Sequence, residues 1–255
     1  MHTTIRSRTS HTAPLHPHEL GTILSIWAHP DDETYLAAGV MAAARDNGQR
    51  VVCAAASAGE LGTSDPETWP PQRLGQVRRW EAASAMAVLG VTEHSVHGLP
   101  DGSLSDHAED GLAWAARLID DVDPDTILTF GVDGMTYHPD HIAVHHWVTR
   151  AWQQRGCLAR LLYATTTVAH VEEFLEMYEE WNMFMSDERP TGVRADDLAL
   201  HVQLTGLPLD RKLTALRAMA TQTSGLIAML DPAVYAAQVA EESFIAAAGA
   251  STPDR

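Results

Sequence analysis

Trp27-Ala28-His29-Pro30-Asp31-Asp32-Glu33 decides how this chain is read, because an apolar run stops there and four ionisable side chains arrive within five residues. Thr22 to Ala28 (TILSIWA) reads as a short buried strand, and the sequence from Glu33 onward (ETYLAAGVMAAARDNG) as a helix. The acidic cluster therefore falls on the turn between them, at the carboxyl end of a strand, where open α/β sheets bind ligands. Pro30 fixes its own φ and biases His29 toward an extended backbone, which separates the imidazole from the carboxylates that follow.

Outward from this turn, strands and helices alternate. Gly48 stops the first helix, and Val51 to Ser57 (VVCAAAS) is a second strand of small and β-branched residues. A loop rich in Gly, Ser, Asp and Pro follows from Ser57 to Pro66 and continues through Trp69-Pro70-Pro71. Leu74 to Leu89 places Leu74, Val77, Ala82, Ala85 and Leu89 on one helical face, and Gly90 closes it. Further strands are expected over 93–97, 126–130 and 161–168, with helices over 108–121 and 140–153. Glu172 to Pro190 reads as an acidic, aromatic helical excursion with a loop, His201 to Thr205 as an edge strand, and 209–222 and 232–248 as two closing helices. This alternation predicts an α/β fold with a mainly parallel sheet, right-handed crossovers and helices on both faces. One domain is expected over residues 21–250, after a poorly ordered arm over 1–20 that carries His2, His11, His16 and His18.

Composition narrows the partners. Lys and Arg total 17 against 34 Asp and Glu, a formal net charge of -17, with no block of consecutive basic residues. That balance argues against nucleic acid or an anionic membrane surface and reads as an acidic, soluble exterior. Cys53 and Cys157 are the only cysteines, so no disulfide framework is expected and a reducing cytoplasm is the default. No apolar stretch reaches membrane-spanning length, and residues 1–20 lack the hydrophobic centre of a signal peptide. The aromatic and Met content of Phe174 to Met185 (FLEMYEEWNMFM) would suit an interface between copies of the chain.

His29, Asp31 and Asp32 have the donor chemistry of half a metal site, since imidazole plus carboxylate suits zinc and related divalent ions. Either aspartate would equally serve as a helix N-cap, with Glu33 complementing the helix dipole. The second half comes from His138-Pro139-Asp140-His141, which follows another apolar strand on another strand-to-helix turn. If both strands run parallel in one sheet, both turns lie on the same edge and converge on one ion.

Together, Ala28-His29-Pro30-Asp31-Asp32-Glu33 and His138-Pro139-Asp140-His141 resemble the PIG-L/LmbE-like family of metal-dependent N-deacetylases. Ser57-Ala58-Gly59-Glu60, Val77 to Glu81 through Leu89-Gly90-Val91, Leu99-Pro100-Asp101-Gly102, and Asp210 to Gln222 extend the likeness over about residues 22–225. The resemblance implies a Rossmann-like fold with the metal at the carboxyl ends of the strands. It implies that His29, Asp32 and His141 hold Zn2+, with Fe2+ as the alternative ion. Asp31 becomes the general base toward a zinc-bound water, and His138 the stabiliser of the oxyanion as an imidazolium. Either of these two returns a proton to the departing amine. Arg78 matches an arginine that binds substrate oxygens, although a solvated helix face paired with Glu81 is the competing reading. Asp140 would orient a ligand histidine or cap its helix.

Tyr137 is a weaker substrate contact, because some relatives place the corresponding tyrosine at the position of Thr136. His145 and His146 read as packed histidines, and Met219 stands where many relatives carry histidine. Trp27, Trp69, Trp80 and Trp181 offer sugar-stacking faces, with core packing the default for most of them. The expected function is removal of an N-acyl, chiefly N-acetyl, group from a small amino sugar or glycoside. Alternatives are an amidase on a larger thiol-sugar conjugate and a non-catalytic metal-binding interaction module.

Overall fold

The computed structural model describes residues 14–249. His2, His11 and most of the arm expected over 1–20 therefore lie outside the described residues. From Leu15 onward the arm is held: Leu15 forms a bridge with Leu200, and Leu20 is fully buried.

Seven strands form one sheet: β1 (Ile23–Trp27), β2 (Val51–Ser57), β3 (Glu93–Leu99), β4 (Thr126–Phe130), β5 (Arg160–Thr165), β6 (Leu200–Gln203) and β7 (Glu241–Ala246). Their order is β3-β2-β1-β4-β5-β7-β6. The first five pair in parallel, and β7 runs antiparallel between β5 and β6. All residues of β1, β2 and β4 are buried, as their continuous apolar runs require of a sheet covered on both faces. The chain moves from β1 toward β2 and β3 on one side, then returns to β4 and β5 on the other. The carboxyl ends of β1 and β4 thus flank the switch point of a doubly wound sheet.

Eight α-helices cover the sheet among the described residues: α1 (Asp32–Asp46), α2 (Pro71–Leu89), α3 (Ala108–Val122), α4 (Pro139–Gln154), α5 (Val168–Glu180), α6 (Gly206–Ala218), α7 (Ala220–Met229) and α8 (Pro232–Val239). α1 packs on α2 and α6, and α3 on α4. Gly90 ends α2 with a φ of 77°, the left-handed cap its position predicts.

Three expectations change. The helix expected over 232–248 stops at Val239, and β7 follows at once. Its Ala- and Glu-rich sequence favours helix, but propensity is a small term and tertiary pairing overrides it. β7 fills an inner slot of the sheet with Phe244 fully buried. Its buried Glu242 accepts the amide protons of Gly39 and Val40 and pairs with Lys212. The helix expected over 209–222 is broken at Met219, whose ψ of 51° leaves the helical region while its side chain packs into the core. β5 ends at Thr165, three residues early, because Thr167 caps α5 by accepting the His170 amide proton. Within the stretch read as an interface, Phe174 and Phe184 turn inward and are buried, while Met185 is exposed.

Candidate functional site

His29 leaves the end of β1, and His138 and His141 lie at the start of α4 after β4, so the sheet delivers all three to one edge. His29 Nδ1 stands 3.2 Å from His141 Nε2 and 3.6 Å from Asp32 Oδ2, and His141 Nε2 is 3.4 Å from Asp32 Oδ1. Ligand atoms about 2.0–2.2 Å from a tetrahedral ion stand roughly 3.4 Å from one another. Each pair falls near that spacing, with Asp32 facing His29 through Oδ2 and His141 through Oδ1. His29, His138 and His141 also offer ring nitrogens within 4.8 Å of one another, so a third imidazole adjoins the same point. His138 Nδ1 accepts the Asp140 amide proton at 3.1 Å, and Asp32 Oδ2 accepts the His29 amide proton at 2.7 Å.

The remaining ring nitrogens are fixed. His29 Nε2–H donates to Asp101 Oδ1 at 3.0 Å and to Asp140 Oδ2 at 3.3 Å, which leaves Nδ1 for an ion. His141 Nδ1–H donates to the Gly134 carbonyl at 2.8 Å, which frees Nε2. Asp140 also accepts the amide protons of Gly102 and Leu104, so it ties the turn after β3 to the histidines. It orients His29 across the sheet edge and does not cap its own helix; His138 accepts there.

The electrostatics ask for a cation. Burial opposes a charge on His29, yet the carboxylates of Asp101, Asp140 and Asp32 outweigh it and hold its pKa well above the usual range. Asp32 stays ionised, because His141 and His29 overcome its burial. Burial lowers the His141 pKa to about 4, so its ring is neutral and suited to ligation. Burial and neighbouring His29 lower His138 as well. With its Nδ1 accepting from the Asp140 amide, neutral His138 carries its proton on Nε2.

Asp31 holds the N-cap position of α1 but its side chain caps nothing. Its φ of 127° is a strained value for a residue with a side chain, of a kind that costs roughly 1–3 kcal/mol and gathers at functional sites. Its carboxylate makes no capping hydrogen bond, and Arg78 Nη2 lies 3.3 Å from its Oδ1. Burial raises Asp31 to about 6, with Arg78 opposing and Asp32 adding to the rise. Glu33 accepts the Asp31 amide proton, and burial followed by the Asp31 charge raises it to about 8.

Arg78 is buried, and it donates from Nη1 to the Gly59 carbonyl at 2.6 Å and from Nη2 to the Pro30 carbonyl at 2.5 Å. The solvated pairing with Glu81 does not occur; Glu81 accepts from Thr221. Gly59 has a φ of 62°, and any Cβ there would collide with the guanidinium. Tyr137 packs against Phe184 and lines neither opening of the site, whereas Thr136 lines one of them. His145 is buried and donates to the Phe130 carbonyl. Trp27 is fully buried, which removes it as a stacking face, Trp69 stacks on the Arg73 guanidinium, and Trp80 is 62% exposed.

Asp101 and Gln222 join the site without having been singled out. Asp101 sits in the Leu99-Pro100-Asp101-Gly102 turn after β3, and its place at the carboxyl end of a parallel strand was the available signal. Gln222 lines the cleft from α7 and donates to the Gly62 carbonyl. An open cleft of ≈ 230 Å3 is lined by Asp31, Arg78, Asp101 and His138 together.

The molecule is an α/β protein whose doubly wound sheet gathers histidines and carboxylates into a candidate metal centre at its switch point. The chain belongs to the PIG-L family, whose model, described as GlcNAc-PI de-N-acetylase, matches residues 24–152. It is 30% identical over 212 residues to the probable N-acetyl-alpha-D-glucosaminyl L-malate deacetylase 2 of Bacillus subtilis (strain 168), covering 82% of this chain and 86% of that protein. A 1D-myo-inositol 2-acetamido-2-deoxy-alpha-D-glucopyranoside deacetylase of Acidothermus cellulolyticus is 29% identical over 231 residues, 79% of each chain. Among solved structures, the antimicrobial reagent A40926 pseudoaglycone deacetylase shares the fold with a TM-score of 0.65 at 21% identity, covering 91% of this chain and 99% of that one.

Proposed function

We propose that this protein is a divalent-metal-dependent N-deacetylase that removes the acetyl group from the nitrogen of a small amino sugar or glycoside. The observation that carries the reading is the carboxylate of Asp31, strained out of its capping position beside a triangle of donor atoms spaced for an ion. Relatives named as deacetylases of N-acetylated glucosides support the substrate class. His29, Asp32 and His141 would hold the ion, which zinc suits best and Fe2+ also fits. A bound ion of this kind supplies Lewis acidity that polarises a carbonyl and acidifies water.

The protein's own residues do the rest. Asp31 takes a proton from the attacking water, and burial tunes it for that exchange near neutral pH. His138 presents Nε2–H to the oxygen on which charge develops, in a geometry fixed by the amide proton its Nδ1 accepts. The departing nitrogen takes its proton from Asp31 or His138, both of which line the cleft. Arg78 keeps Asp31 oriented and offers a cation to substrate oxygens; Asp101 and Asp140 lock the tautomer of His29. Cys53 and Cys157 are unpaired, which suits a reducing compartment such as the cytoplasm. No helix among the described residues is long and apolar enough to cross a membrane.

The test is acetate release from a panel of N-acetylglucosaminides, before and after chelation. The reading expects release that chelation abolishes and zinc restores. Release untouched by chelation, or no release from any panel member, would contradict it.

A further inference from the structure

The backbone of Asp31 is held on both sides of its Cα. Its carbonyl accepts the amide protons of Thr34 and Tyr35, each at 2.9 Å, and its own amide donates to Glu33 Oε2 at 3.1 Å. The carbonyl just before it, that of Pro30, accepts from Arg78 Nη2 at 2.5 Å. Because a peptide unit is planar, the bonds to the Pro30 carbonyl and the Asp31 amide fix the plane before Asp31, and those to its carbonyl fix the plane after it. A residue with a side chain keeps a φ of 127° only where its surroundings over-determine it, as these bonds do. Glu33 makes the one that comes from a side chain of α1.

This is one half of a capping box. In the complete motif the N-cap side chain bonds an amide of the first turn while an acid of that turn reaches back to the N-cap amide. Glu33 reaches back, from the second helical position, but Asp31 makes no forward bond. The Asp31 carboxylate is left for the cleft, which Asp31 lines and Glu33 does not. Glu33 is only 3% exposed, and its Oε1 accepts from the Thr34 hydroxyl at 3.2 Å. A glutamate that served the helix dipole alone would do so from the surface, where a charge costs least. Burial is costly for a carboxyl, and what it secures here is a fixed acceptor at the Asp31 amide.

We propose that Glu33 is a positioning residue for the base: its carboxyl oxygen holds the Asp31 amide, and with it the backbone conformation that presents the Asp31 carboxylate to the attacking water. This rests on the reading of Asp31 as the general base. Glu33 lines neither the cleft nor the larger cavity beside it, so it acts through Asp31 and not on the substrate. The task needs an acceptor atom and not a charge. Glutamine meets it, with Oε1 on the Asp31 amide and Nε2–H donating to the Thr34 hydroxyl. Methionine, of similar size but without that acceptor, does not. Once the bond is gone, Arg78 alone holds the peptide plane before Asp31, and that plane can turn toward the negative φ that residues with a side chain prefer.

The experiment measures acetate release, metal content and Asp31 amide exchange in the holoenzyme, Glu33→Met and Glu33→Gln, with Glu33→Ala in place of Glu33→Met if that variant does not fold. Glu33→Met should lower kcat about tenfold to a hundredfold, the cost of misplacing a group by about 1 Å, with KM and metal content at the parent's values. Glu33→Gln should recover most of that loss. In an Asp31→Asn background Glu33→Met should cost less than about twofold more, since no base remains to be positioned. The Asp31 amide should exchange at least about tenfold faster in Glu33→Met and at the parent's rate in Glu33→Gln. Glu33→Gln as slow as Glu33→Met would make the charge the working part and overturn the inference. So would metal and kcat lost together in Glu33→Met, or a Glu33→Met penalty undiminished in the Asp31→Asn background. If the parent itself releases no acetate, the deacetylase reading fails, and amide exchange then decides whether Glu33 holds Asp31: equal exchange in all three proteins overturns the inference.

Discussion

Arg78 Nη2 lies 3.3 Å from Asp31 Oδ1 while the same guanidinium is anchored on the carbonyls of Gly59 and Pro30. The cation therefore opposes the rise that burial imposes on Asp31 without being free to leave. A base must be deprotonated to act, so activity should fall as the pH drops through the Asp31 pKa. That pKa is raised to about 6 by burial, and a bound cation pulls it lower. The acid limb of kcat/KM should lie at or below about 6, and Arg78→Met should move it to higher pH by removing the group that holds Asp31 down. A pH–rate profile of both proteins checks this; an unmoved limb would separate Arg78 from the base.

The second carboxylate contact of His29 is equally specific. Asp101→Asn takes the negative charge off the acceptor of His29 Nε2–H without touching the ion triangle, and metal affinity should fall about tenfold to a hundredfold. Competition with a chromophoric chelator measures it. Asp140→Asn should cost affinity and also loosen the Gly102–Leu104 turn, seen as faster amide exchange there.

Lys212 and Glu242 form a fully buried ion pair at 2.8 Å that links α6 to β7. Lys212→Met leaves the Glu242 carboxylate inside with only the Gly39 and Val40 amides, and should destabilise the fold by about 3–5 kcal/mol. Adding Glu242→Gln should restore part of that loss. Urea denaturation of the single and double variants reads both effects.

Two turns, 27–33 and 138–141, were legible in the sequence because several ionisable side chains crowd a strand end within a few residues. Asp101 was not, since a single acid in a Gly-Pro turn has no local excess of charge; the pairing of β3 with β2 brings it to the same edge. Arg78 sits on a helix with exposed neighbours such as Trp80, and the buried start of the loop, Ser57 to Gly59, decides that it points inward. Asp31 occupies the cap position its sequence allows, but its positive φ, which no residue pattern announces, sends the carboxylate elsewhere. β7 was hidden by helix-forming residues whose place between β5 and β6 is set by the rest of the sheet.

In the proposed mechanism the adjacent aspartates divide the work, Asp32 holding the ion and Asp31 serving the water. Metal content and acetate release measured side by side in Asp31→Asn and Asp32→Asn test it most directly. Asp31→Asn should keep the parent's metal and lose at least about a hundredfold in rate, the usual range for a general base. Asp32→Asn should lose the metal itself. Metal lost equally from both variants, or a metal-loaded Asp31→Asn that works at the parent's rate, would contradict the account.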